Sequence, residues 1–287
     1  MNNYKTKNQK LLNLLSIYLN NFDNIIKKEE VEEIKKIVLD EEMAVKILFA
    51  SYLGLDINDN EEDKELYHEY FDEMLKKDDE NNYINNPYYH NIFLTSSKFE
   101  NWKIKKDKYE AYQMFVRDDM IKDFKGKIIP QIGYFNKDFY FDAIYQDDRL
   151  WMSISPNEIN SMKKDIEDAF GNVVTLGLGM GYFAYMVALK ENVEKVIVVE
   201  KDINVIKLFK AQILPKFSED VQDKITIINE DAYEYLKHLK DIDYVFVDIY
   251  HDVSDGKEVY NKISKIEKQY PNVIFRYWIA KTIKLYL

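Results

Sequence analysis

Asp248, Tyr250, His251 and Asp252 fall within one five-residue stretch. An acid, a phenol, an imidazole and a second acid so close together could hold an amine or hydroxyl nucleophile and remove its proton. Asp248 is the strongest single candidate, with Tyr250 or His251 as its helper; His251 also reads as an ordinary loop histidine. A second group is Gly177-Leu178-Gly179-Met180-Gly181. Glycine turns tightly and lets a ligand come close without a Cβ in the way. A helix starting just after it would add free N–H groups and a positive dipole end. A third group is Glu200-Lys201-Asp202. The Glu200 carboxylate could accept both hydroxyls of a ribose, while Asp202 reads as a helix cap. A fourth is Asn229-Glu230-Asp231-Ala232. Asp231 could meet the exocyclic amine of an adenine and the Ala232 N–H a ring nitrogen; Asp231 also suits a helix N-cap, and the two roles are compatible.

These groups need elements to position them, and the chain supplies a regular series. Apolar runs at 173–176, 195–200, 225–228, 243–248 and 273–275 alternate with helical patterns at 181–190, 202–213, 231–240, 256–269 and 277–286. The runs lack polar alternation, as strands buried on both faces should. Strands alternating with helices predict an α/β fold with a doubly wound, mainly parallel sheet. Ligands of such sheets bind at the carboxyl ends of the strands, where all four groups fall. This domain is placed at 151–287, preceded by a small β-hairpin element at 126–150 with Asp147-Asp148 as its turn. Residues 1–125 are assigned to a helical domain, with helices around 11–19, 31–38, 43–53 and 61–77 and Gly54 as a C-cap. Ser155, Pro156 and Glu158 read as an N-cap, a first-turn proline and a capping-box acid. The aromatic stretch from Asn86 to Phe93, followed by Trp102, Tyr109, Tyr112 and Phe115, reads as core before it reads as a pocket.

Composition narrows the function. Among 287 residues the formal net charge is −11, which speaks against a protein built to grip a nucleic-acid backbone. There is no cysteine, so disulfide and thiolate chemistry are excluded. The apolar run at 11–19 is broken by Asn13 and is far short of the roughly 20 residues that cross a bilayer, so a cytoplasmic protein without a membrane partner is expected. The four histidines, at 68, 90, 238 and 251, lack metal-ligand spacing, and no metal is expected. No lysine follows the glycine loop as in a P-loop, and no Gly-x-Ser-x-Gly elbow occurs.

The four groups arrive in the order seen in class I S-adenosylmethionine-dependent methyltransferases, which the region 150–287 resembles. The resemblance implies a Rossmann-like domain with S-adenosylmethionine as cofactor. Gly177, Leu178, Gly179, Gly181, Glu200, Lys201, Asp231, Ala232 and Asp248 would bind it. Asp248, Tyr250 and His251 would face a small-molecule methyl acceptor. Spermidine synthase features accompany it: Phe141-Asp142 with Gln146 four residues after the acid, VVEKDINVI, and ITIINEDAYEYL. Thr175, where methyltransferases carry an acid, matches that branch; His251-Asp252 stand where it has Asp-Pro. Aminopropyl transfer to a polyamine is therefore the alternative, alongside a non-catalytic nucleoside-binding protein. A dinucleotide oxidoreductase also fits Gly179 to Ala184 and Glu200, but less well the acids at 230, 231 and 248. No sixth or seventh strand is predicted, and the edge of the fifth offers a place for a homodimer.

Overall fold

A computed structural model describes residues 4–21 and 24–287. The chain opens with helices α1 (Lys5–Leu19), α2 (Lys28–Val38), α3 (Glu41–Tyr52) and α4 (Glu61–Met74). A short strand β1 (Leu75–Lys77) and short helices α5 (Asn81–Ile84) and α6 (Pro87–Asn91) follow. Next come β2 (Ser97–Phe99), β3 (Trp102–Tyr109), β4 (Phe115–Lys122), β5 (Ile128–Tyr134), β6 (Phe139–Gln146) and β7 (Arg149–Ser153). The remainder alternates: α7 (Pro156–Asp168), β8 (Gly171–Leu176), α8 (Tyr182–Ala188), β9 (Val193–Glu200), α9 (Ile203–Gln212), α10 (Glu219–Lys224), β10 (Ile225–Asn229), α11 (Ala232–Leu236), β11 (Tyr244–Val247), α12 (Val253–Glu267), β12 (Ile274–Tyr277) and α13 (Ala280–Leu285).

The chain divides into two compact units. The first comprises residues 1–80 and 108–140. Its core joins Leu11, Leu15 and Tyr18 of α1 to Phe49 of α3, Tyr70 and Phe71 of α4, and Ile132 and Tyr134 of β5. The polar side chains of Asp40 and Asn60 cap α3 and α4 by accepting from first-turn N–H groups. Gly54, with φ +76°, follows α3 as expected. The helical pattern expected to reach Lys77 stops at Met74. Residues 75–77 instead pair in parallel with β5, which also takes β4 on its other side.

The second unit comprises residues 81–107 and 141–287. Its main sheet has the order β10-β9-β8-β11-β12, and every adjacent pair is parallel. All four residues of β11 are buried, as are the last four of β8. This is the doubly wound α/β sheet read from the sequence. From the central β8 the chain winds outward through β9 and β10, then crosses to β11 and β12. The crossover leaves a crevice at the carboxyl ends of β8 and β11.

Two local expectations are corrected. Residues 97–99, 102–109 and 115–122 are strands, so the helical assignment of 1–125 fails beyond α6. Nor do the strands at 128–134 and 139–146 form a hairpin with each other. The first belongs to the β1-β5-β4 sheet; the second lies in a separate sheet of order β2-β3-β6-β7. The turn at Asp147-Asp148 is real, with φ of +48° and +67°, but it joins β6 to β7. Among the described residues no helix is long and apolar enough to cross a membrane, and no group of three His, Asp or Glu could hold a metal ion.

Candidate active site

A cleft of about 380 Å³ lies over the carboxyl ends of the main sheet. That size is within the range of small-molecule sites. Gly177, Leu178, Gly179, Glu200, Lys201, Asp231, Ala232, Asp248, Tyr250 and His251 all line it. Of the residues expected at the site, Gly181 alone is not at the wall. It occupies the N-cap of α8 at φ +72°, where an added Cβ would lie 2.4 Å from the Phe209 ring.

The glycine loop is closely engaged with its own chain. An added Cβ at Gly177 would stand 2.0 Å from the Asp248 carbonyl oxygen, because the ends of β8 and β11 run side by side. One at Gly179 would stand 1.8 Å from Met152 Sδ. The loop amides also point inward. Gly177 N–H donates to the Val199 carbonyl at 2.9 Å and Gly181 N–H to the Leu178 carbonyl at 2.8 Å. Leu178 N–H donates to Glu200 Oε2 at 3.1 Å, and Met180 N–H points at Met152 Sδ at 3.0 Å. Beneath the loop, Tyr88 OH donates to the Met180 carbonyl at 2.7 Å. Tyr88 is buried, so this member of the aromatic stretch is core.

The acids divide into two kinds. Asp202, Asp231 and Asp252 each accept from the N–H two residues on and cap α9, α11 and α12. Asp255 accepts from the N–H groups of His251 and Asp252, which fixes the loop after β11. Among the described residues Glu200, Asp248 and Glu158 form no ion pair. Burial pushes the Glu200 carboxyl above its ordinary value, against the N–H groups of Asp202 and Leu178 that favour its charge. Burial, with the charge of Glu200 second, lifts Asp248 to about 7. Burial, with the charge of Asp248 second, lifts Glu158 well above its ordinary value.

Glu158 is the residue that reading the sequence assigned otherwise. It lies in the first turn of α7, where a capping box was expected, yet Ser155 makes no side-chain cap there. It instead borders a second, much smaller space of about 10 Å³, shared with Asp248, Thr175 and Met152. That is room for about one water. The far end of α7 is firmly held. Lys190 Nζ donates to the carbonyls of Ile166, Glu167 and Ala169 at 2.7, 2.6 and 2.6 Å. Tyr244 OH donates to the Asp165 carbonyl at 2.9 Å, and Trp278 Nε1 to Ser161 Oγ at 2.9 Å.

The aromatic candidates separate. Tyr250 is buried, its ring at the cleft wall, and its hydroxyl donates to the Trp278 carbonyl. That bond points the hydroxyl at the backbone, so the ring, and not the phenol, faces a ligand. His251 is exposed and stands edge-on to Trp151, with ring centroids 6.4 Å apart. Trp151 and Met152, both on β7, complete the wall opposite the sheet.

Residues 159–268 match the family model described as the spermine/spermidine synthase domain. The match runs from within α7 through the end of α12, and it favours aminopropyl transfer over the methyl transfer expected first. The methyltransferase reading has no such support. No curated protein is matched. Among solved structures, spermidine synthase from Thermotoga maritima aligns at 16% identity with a TM-score of 0.33, over 61% of this chain and 53% of that one. The chain thus spans about half the length of that relative.

Proposed function

We propose that this protein is a spermidine synthase-like aminopropyltransferase. Its donor would be decarboxylated S-adenosylmethionine, a substrate and not a resident cofactor, and its acceptor a small amine. The observation that carries the reading is the character of the cleft beside the glycine loop. The Asp248 carboxyl lies at it and Glu158 at the small space adjoining it, neither in an ion pair among the described residues, while the amides of Gly177, Leu178, Met180 and Gly181 are already engaged. A carboxylate-bearing tail would meet like charges and few free donors. A decarboxylated tail ending in an ammonium would meet charges of opposite sign. The spermine/spermidine synthase domain match over 159–268 supports the same choice.

In this reading the neutral amine nitrogen of the acceptor attacks the carbon joined to the sulfonium. The C–N bond forms as the C–S bond breaks, sulfur keeps the bonding pair, and 5′-methylthioadenosine leaves. The new ammonium gives its proton to Asp248, whose raised value suits a base near neutrality. Glu158 holds the cationic tail, and most of the rate comes from positioning. Glu200 takes the ribose hydroxyls, and Asp231 with Ala232 the adenine edge.

The test is mass spectrometry of the purified chain with decarboxylated S-adenosylmethionine and putrescine as the probe acceptor. 5′-Methylthioadenosine and an aminopropylated amine are expected. S-Adenosylhomocysteine and a methylated acceptor, formed from S-adenosylmethionine, would restore methyl transfer. Tight nucleoside binding with no product from a panel of amines would favour a non-catalytic binding protein.

A further inference from the structure

Met152 stands at a junction. It borders both the large cleft and the small space beside Glu158, and Gly177, Leu178 and Asp248 are the other residues common to the two. Its sulfur lies 3.0 Å from the Met180 nitrogen and covers the face of Gly179, where even a Cβ would come within 1.8 Å of it. A thioether is a weak acceptor on a flexible, unbranched side chain. It is therefore a replaceable partner for a strong donor, and a soft wall between two spaces. Met152 also sits on an edge strand, β7, whose pairing with β6 is interrupted between Ile144 and Tyr145.

We propose that Met152 is a specificity-determining residue: its thioether covers the Met180 N–H and the face of Gly179 and closes the cleft to nucleoside thioethers with an amino-acid tail. A ligand with a short, uncharged substituent on sulfur fits without moving it. A cationic tail displaces it toward the acids of the small space and gains Glu158 and Asp248 as partners. A carboxylate-bearing tail displaces it and gains repulsion from the same acids. The inference rests on the aminopropyltransferase reading, because it takes the cleft to hold an adenosine thioether.

The experiment is calorimetric titration of the full chain at pH 7.5 with 5′-methylthioadenosine and S-adenosylhomocysteine. The wild-type chain is expected to bind 5′-methylthioadenosine at least about tenfold more tightly. In Met152→Ala the preference should shrink at least about fivefold, through tighter S-adenosylhomocysteine binding, with 5′-methylthioadenosine changed less than about threefold. Met152→Val keeps a strand-compatible side chain while removing the thioether, and should shift the ratio in the same direction if the alanine variant does not fold. An unchanged ratio in whichever variants fold, with 5′-methylthioadenosine still bound, overturns the role of Met152 alone. Binding of neither nucleoside by the wild-type chain removes the adenosine reading of the cleft, and the Met152 proposal with it.

Discussion

Two sets of acids, one in each unit, are held in opposite ways. In the first unit, Asp63 accepts from Lys10 Nζ at 2.6 Å and from the Asp56 N–H at 2.9 Å. Glu41 accepts from Lys77 at 2.9 Å, and Asp78 takes the Arg117 guanidinium at 3.0 Å. Although burial opposes it, these partners hold the Asp63 and Glu41 carboxyls below their ordinary values. In the second unit Glu158, Asp248 and Glu200 are held above theirs, chiefly by burial. Acids that are matched in the fold contribute stability. Acids left without a cation near the carboxyl ends of the sheet lower it, and a cation for them must come from outside. Asp142, buried in the second unit and paired with Lys106 at 2.8 Å, is also held above its ordinary value by burial, so the contrast concerns the named acids and not every acid of the unit.

The sharpest way to break the contrast is at Asp248. Asp248→Asn should lower aminopropyl transfer by about a thousandfold, within the range for losing a general base. The same variant should melt higher than the wild type at pH 7.5. Retained activity would remove Asp248 from the chemistry. In the wild type, kcat/KM should climb with pH through about 7 as Asp248 loses its proton.

Stability should respond with opposite signs in the two units. Asp63→Asn breaks a matched acid and should cost about 1–2 kcal/mol in urea unfolding. Glu158→Gln removes an unmatched one and should raise the melting temperature at pH 7.5 by about 2–4 °C, the shift that 1 kcal/mol gives a domain of this size. The pH dependence separates them further. Asp63 sits below its ordinary value of 3.8, so its contribution is full above that pH and is lost as pH falls through its folded value. Asp248 is lifted from 3.8 to about 7, so the unfolded chain sheds its proton first, and stability falls as pH rises across that window. The advantage of Glu158→Gln should likewise vanish in acid. Equal pH slopes for Asp63→Asn and Glu158→Gln would end the distinction. The smallest effect belongs to Tyr250→Phe. It removes a hydrogen bond to the Trp278 carbonyl, should cost about 1 kcal/mol of stability, and should leave the activity pH profile unmoved.

Much of the second unit was legible in the sequence because its signals are local. Buried parallel strands read as apolar runs, and the acids that end them follow at fixed positions. That is how Glu200, Asp231 and Asp248 were placed at one cleft. What stayed hidden was set by partners distant in the chain. The segment WKIKKDKY forms β3 with only Trp102 and Ile104 buried, so its lysines mask the strand period. The choice of β4 and not β6 as the antiparallel neighbour of β5 depends on sheet assembly, which no local spacing encodes. Glu158 carried a capping signature that the fold did not use. Tyr250 looked available until its hydroxyl met a carbonyl contributed by residue 278.

One further consequence lies in how α7 is fastened. The described hydrogen bonds between α7 and other elements, with Tyr83, Trp278, Tyr244 and Lys190, all lie at or beyond Asn160. An α-helix is a stiff rod, so clamping it along its rear fixes the front turn as a cantilever does. Glu158 is aimed by leverage and not by a bond of its own. Both its oxygens therefore keep their lone pairs for whatever arrives, and a lesion at the distant Lys190 would blur the aim without touching the cleft.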